Sequence, residues 1–385
     1  MSVLIKNGIV YRNQEKRLLP MDILCDGGKI VALGERGSIF CDRAEVIDAN
    51  GAFLLPGLID VHTHGREGYD FVEKEADLCV MADGYAAHGV TAVMPTLASA
   101  PLDDMVSAAR RIDSFVPEDG QAAFCGVHIE GRYLNVSKRG AHAENMLSSL
   151  ESAELKGFKD ISRLNISAAY ELDRDGSFAL EARRMGATLS LGHTAATYKE
   201  ALVAEERGVT AYTHLFNAMP PLHHRDGGAV AACLNGEAYG ELICDGVHIA
   251  PEMVALAYRC KKEKLTLISD SMQATGCEDG EYSIAGLPVT VKDGLARTHE
   301  GALAGSTLTL DHAIRNLMSF CQISLCEAII CATEAPARQI GIFEERGSID
   351  VGKSADIIFA APHEDRFDIR GVMIRGKIKI KDISN

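Results

Sequence analysis

None of the eleven cysteines stands in a Cys-x-x-Cys pair, and the sequence shows no signal-peptide pattern and no long apolar run. An odd cysteine count without metal or redox spacing argues against a disulfide framework at this length and sets the expectation of reduced thiols in the cytoplasm. Without a long apolar run, no membrane span is expected. Positive charge is scarce: 39 Lys and Arg stand against 54 Asp and Glu, a net charge of −15. A field of that sign repels nucleic acid and anionic membrane surfaces. It also requires any anionic substrate to be met by a local set of positive or hydrogen-bonding groups. What remains is an ordinary globular composition, 47% hydrophobic over 385 residues, enough for one large domain and a smaller one.

No Gly-x-Gly-x-x-Gly turn follows any strand-like run, so an open dinucleotide-binding sheet is the second choice of fold. Apolar runs alternate with segments of helical period. They fall at 53–61, 91–95, 123–130, 165–170, 188–193, 210–214, 241–245 and 265–270, eight in all. Helices are expected at 76–88, 102–115, 177–185, 198–207 and 251–262, several closed by a glycine such as Gly89 or Gly186, where a helix end favours positive φ. Residues 280–297 have the turns of an inserted hairpin, with a helix at 307–318 after it. Eight strands with crossover helices predict an α/β fold, a (β/α)8 TIM barrel. The short runs at 3–10, 21–33, 355–359 and 369–380 are too small to fold alone. They are expected to join into one small β-sandwich domain built from both chain ends, 1–53 and 345–385, around a barrel at 54–344.

The stretch Pro56-Gly57-Leu58-Ile59-Asp60-Val61-His62-Thr63-His64 carries an apolar run into two histidines one residue apart. Strand side chains alternate, so His62 and His64 point to the same side at the strand's end. Alone, the pair also fits two surface histidines in a turn. Barrel chemistry sits at the C-terminal ends of the strands, and there the sequence places Glu130 on the third strand, His193 on the fifth, His214 on the sixth and Asp270 on the eighth. Each singly fits a cap or a satisfied core group. Together, four imidazoles and two carboxylates on one face suit a borderline divalent ion such as zinc.

These residues resemble the amidohydrolase superfamily, through Pro-Gly-x-Ile-Asp-x-His-x-His at 56–64. Within it, further strings are similar to the N-acetylglucosamine-6-phosphate deacetylases: His128-Ile129-Glu130-Gly131, Gly140-Ala141-His142, Gly192-His193-Thr194, Thr213-His214-Leu215-Phe216-Asn217-Ala218-Met219, Pro221-Leu222-His223-His224-Arg225, Asp245-Gly246-Val247-His248 and Ser269-Asp270. The chain departs from that pattern in three places. It has Arg132-Tyr133 where the family often has Pro-Phe, Arg225-Asp226-Gly227-Gly228 for Arg-Glu-Pro-Gly, and Ser269-Asp270-Ser271 for Thr-Asp-Ala.

The resemblance implies hydrolysis of the acetamide of N-acetyl-D-glucosamine 6-phosphate in amino-sugar catabolism. Another N-acetylhexosamine 6-phosphate, such as N-acetylgalactosamine 6-phosphate, or a cyclic amide stays open as substrate. It implies one or two divalent ions, zinc first, with iron, manganese, cobalt or nickel as alternatives. Glu130, His193 and His214 would hold one ion, and His62 and His64 a second that shares Glu130. Asp270 would be the acid–base group and His142 the donor to the carbonyl oxygen. Ala141, Asn217, Ala218, Arg225 and His248 would contact the sugar phosphate, Arg225 from its own or a neighbouring subunit, since the family is commonly homodimeric.

Overall fold

The structure, a computed structural model, describes residues 2–381. Eight parallel strands form the barrel: Leu58–Thr63, Val90–Leu97, Val127–Glu130, Leu164–Ala168, Thr188–Leu191, Val209–Tyr212, Tyr239–Ile243 and Leu265–Ile268. Each of the first seven pairs in parallel with its successor, so every connection between them is a crossover. The expected helices are present at Leu78–Ala87, Leu102–Asp113, Ser177–Arg184, Tyr198–Glu206 and Pro251–Lys261, and Gly89 and Gly186 take φ of +77° and +80° at their ends. Their starts have local causes. Thr197 and Glu200, for example, close a reciprocal capping box ahead of the helix Tyr198–Glu206.

Four details differ from the sequence reading. The run 53–61 is two strands, not one. Phe53–Pro56 pairs with Val3–Arg12 and Ile357–Ala360 in the small sheet, and only Leu58–Thr63 enters the barrel. Gly57 makes the break, because a Cβ there would lie 2.2 Å from Thr91 Oγ1. The third run splits into Ala123–Phe124 and Val127–Glu130, both paired with the second strand. The third crossover has no α-helix; residues 131–163 form a long excursion with three short 3-10 turns, and His142 lies on it. The expected hairpin is three antiparallel strands, Gly280–Ile284, Leu287–Lys292 and Leu295–Thr298.

Strands from both chain ends form one eight-stranded sheet with its own core, including Ile5, Val10, Ile23, Leu54, Ile357 and Phe359. Tyr11 joins this sheet to the barrel: its side chain belongs to the barrel core, and its hydroxyl donates to the Cys326 carbonyl at 3.1 Å.

The barrel closes between its first and eighth strands through a buried carboxylate. Asp60 accepts from Ser269 N (3.3 Å), Ser269 Oγ (2.6 Å) and His62 N (3.3 Å), while Asp270 N donates to His62 O at 3.0 Å. Burial pushes the Asp60 carboxyl up to about 6, against the pull of those donors. The folded chain therefore holds a proton that the unfolded chain releases near pH 4, and stability falls as pH rises between the two values. Relative to Asp60→Asn, which has no such titration, the parent is expected to lose on the order of 2 kcal/mol from pH 4 to pH 6 and to level off above. Urea midpoints across that range test this; parallel curves for the two proteins would refute it.

Candidate active site

Three of the expected site residues sit two positions beyond their strands, which end at Leu191, Tyr212 and Ile268. His193, His214 and Asp270 take φ of +46°, +30° and +48°, a region that residues with a side chain seldom occupy. Such strain persists only where neighbours fix it. Here the fixing bonds are Asn135 N to His193 O at 3.0 Å, Asn217 N to His214 O at 2.9 Å, and Asp270 N to His62 O.

All six strand-end groups meet around Glu130. Its Oε1 lies 3.2 Å from His193 Nε2 and 2.9 Å from His214 Nε2; its Oε2 lies 3.2 Å from His62 Nε2 and 3.0 Å from His64 Nε2. Asp270 Oδ1 completes the second group, 3.2 Å from His64 Nε2 and 3.5 Å from His62 Nε2. The described residues thus contain two buried sets able to hold a metal ion, Glu130 with His193 and His214, and His62 with His64 and Asp270.

The tautomers support that capacity. His62 Nδ1 faces a Glu241 oxygen at 3.0 Å, and His193 Nδ1 faces the Lys138 carbonyl at 2.8 Å. Both partners only accept, so both Nδ1 atoms carry the proton, and in the neutral rings Nε2 is a bare lone pair aimed at Glu130. Lone pairs held about 3 Å apart repel unless a cation lies between them. Ligands set tetrahedrally around zinc would be roughly 3.3 Å apart, which matches the spacing here. Burial disfavours charge on every member, yet the partners prevail. Where no cation lies between them, the facing carboxylates hold His62 well above the usual imidazole range and lift His64 to about 9, so these rings carry a second proton that a bound ion would displace. The histidines in turn hold Glu130 well below the carboxylate range and Asp270 at about 2.

A pocket of about 150 Å³ opens over the cluster, lined by Ala141, His142, Asn217, Ala218 and His248 as well as by ligand-bearing side chains. Ile243, Ile284 and Leu303 give it an apolar wall. His142 stands edge-on to His193, ring centroids 4.8 Å apart, and burial beside that ring pulls its pKa down to about 3, so it is neutral. Asp245 fixes His248: Oδ2 takes the Nδ1 proton at 2.6 Å, and Oδ1 accepts from Val247 N and His248 N, each at 2.8 Å. Arg225 is placed elsewhere. It sits on an exposed turn outside this lining, with Nη1 2.8 Å from His224 Nε2. Among the described residues, no lysine or arginine lines the pocket.

Glu241 was not among the expected site residues. It is fully buried, and besides His62 it accepts from His214 N at 3.4 Å and from Gln339 Nε2 at 2.7 Å. A carboxylate inside an apolar strand run was the available signal. The Lys138 carbonyl, a backbone group, left no signal at all.

The sequence profile of the amidohydrolase family matches residues 53–379. The chain is 36% identical over 321 residues to N-acetylgalactosamine-6-phosphate deacetylase of Escherichia coli O157:H7, covering 81% of this chain and 85% of the relative. It is 33% identical over 367 residues to N-acetylglucosamine-6-phosphate deacetylase of Vibrio furnissii, covering 91% and 90%. Among solved structures, an aspartate-to-alanine mutant of N-acetyl-D-glucosamine-6-phosphate deacetylase from Mycobacterium smegmatis, in complex with N-acetyl-D-glucosamine-6-phosphate, matches with a TM-score of 0.87. It is 27% identical and covers 99% of this chain and 100% of that one.

Because one carboxylate serves both donor sets, Glu130→Gln is expected to weaken divalent-ion uptake at both, by about tenfold or more, while His64→Ala weakens one alone. Zinc titration with elemental analysis reads this. Parent-like affinity and stoichiometry in Glu130→Gln would separate the carboxylate from ion binding.

Proposed function

The chain belongs to the amidohydrolase family, and from that premise we propose that it hydrolyses the acetamide of N-acetyl-D-glucosamine 6-phosphate to glucosamine 6-phosphate and acetate. The observation that carries this reading is the Glu130-centred donor cluster at the floor of a pocket that also holds His142 and Asp270. N-acetylgalactosamine 6-phosphate is the second reading, favoured by the 36% identical relative of that specificity. Amine release from a panel of N-acetylated hexosamine 6-phosphates decides between them.

Glu130, His193 and His214 would hold one divalent ion, zinc by the donor mix, and His62 and His64 with Asp270 a second that shares Glu130. Such an ion polarises the amide carbonyl and lowers the pKa of a water to about 7. Asp270, with a pKa of about 2, is ionised at working pH. It takes the proton of the attacking water and gives it to the nitrogen as the C–N bond breaks, since an unprotonated amine leaves poorly. His142, neutral, donates to the carbonyl oxygen as negative charge grows there.

The phosphate end falls to Asn217, the Ala218 N–H and His248, which Asp245 holds in place. Arg225 supplies the fork of donors matched to phosphate oxygens. Its exposed position and the cation-free lining of the pocket support delivery from the neighbouring subunit of a homodimer. In this reading residues 54–344 are the catalytic barrel and 1–53 with 345–385 its supporting β-domain. The eleven unpaired thiols support a reducing, cytoplasmic location.

Asp270→Asn is expected to keep the fold and the ion on Glu130, His193 and His214 while lowering kcat by about a thousandfold. Turnover close to that of the parent would remove Asp270 from proton transfer.

Arg225→Ala is expected to raise KM strongly for the phosphorylated substrate and to leave the poor, unphosphorylated N-acetyl sugar unchanged. Mixed dimers with an Asp270→Asn chain should regain activity. Equal losses on both sugars would rule out a phosphate contact.

A further inference from the structure

His142 is held from behind by a residue that no motif singled out. Ser99 follows the second barrel strand and is 1% exposed. Its backbone N–H donates to His142 Nδ1 at 3.3 Å, and its Oγ lies 2.9 Å from the same nitrogen. A backbone N–H can only donate, so Nδ1 is the acceptor and carries no proton. The hydroxyl is oriented in turn, because Ser99 Oγ accepts from Arg132 N at 3.0 Å, which directs its own proton to His142. Two close approaches make this possible. At Gly131 a Cβ would meet Ser99 N at 2.5 Å. Arg132 has φ of +65° and is clamped by Glu154 through Nε (3.0 Å) and Nη2 (2.9 Å). A proline at 132 could neither reach that φ nor offer an N–H, so this contact depends on a residue other than proline there.

We propose that Ser99, backed by the Arg132 N–H, is a positioning residue that fixes the tautomer of His142. By keeping Nδ1 bare, it leaves the ring proton on Nε2, the nitrogen free to meet a substrate. A neutral imidazole in the other tautomer would turn a lone pair toward the carbonyl oxygen and repel the charge that develops on it. The proposal rests on the reading above that His142 contacts the acetamide, and it adds the group that gives His142 its donor polarity.

Nitrogen-15 NMR of the histidine-labelled, zinc-loaded protein tests it directly. The expected result is a protonated Nε2 and a bare Nδ1 for His142, with a minor Nδ1-protonated population appearing in Ser99→Ala, which loses the hydroxyl at 2.9 Å but keeps the longer backbone N–H contact. In kinetics, Ser99→Ala should lower kcat about tenfold with KM nearly unchanged, and should cost nothing further in a His142→Ala background. A parent spectrum with the proton on Nδ1 overturns the proposal even if Ser99→Ala fails to fold. So does an equal kcat loss from Ser99→Ala with and without His142. A His142→Ala enzyme with parent kcat would instead overturn the reading of His142 as the carbonyl donor, and the NMR result for Ser99 would remain a separate measurement.

Discussion

A carboxylate sealed from water must face positive charge or return its proton, and Glu130 puts this requirement at the mouth of the barrel. It is 1% exposed and touches four imidazoles that arrive from the first, fifth and sixth strands. Losing any of these partners would leave buried charge uncompensated, a penalty of several kcal/mol. The strand ends are therefore tied to one another through this single group. The left-handed turns at His193, His214 and Asp270 follow from the same demand, because they bring side chains just past the strands to one place. The seam at Asp60 and Ser269 completes the ring beneath them.

Three histidines of the site owe their roles to what stands behind them. His62 is backed by the Glu241 carboxylate and His193 by the Lys138 carbonyl, both acceptors. Each ring keeps one proton at the back, on Nδ1, which leaves Nε2 to face Glu130 and free to meet an ion. His142 is backed by the Ser99 N–H, a donor, and so turns its proton forward. One side-chain type can thus offer ion-ligating nitrogens and a hydrogen-bond donor within one pocket, and the polarity of the second partner decides which. Gln339 extends the arrangement by orienting Glu241 from the last helix, Glu334–Gln339.

The electrostatics of the pocket are uneven. The Glu130 cluster concentrates charge at the floor, whereas the rest of the lining offers His248 and amide groups and, among the described residues, no lysine or arginine. In a molecule of net charge −15 this leaves a need for cationic help. Arg225, the cation expected to meet it, stands on an exposed turn outside that lining.

The sequence by itself determined the alternation of strand and helix, the eight barrel strands and the six polar groups at their ends. Those features are written in local periodicity, and local periodicity follows from backbone geometry. It determined less where one apolar run serves two sheets, as at Gly57, or where a crossover dispenses with an α-helix, as in residues 131–163. Only the tertiary structure decided that Glu130 would be shared between two donor sets, that Glu241 and Ser99 would face His62 and His142, and that Arg225 would lie outside its own pocket. These are contacts between residues far apart in the chain. They come from closure of the barrel and from close approaches such as that of Gly131 to Ser99, for which a sequence carries no period.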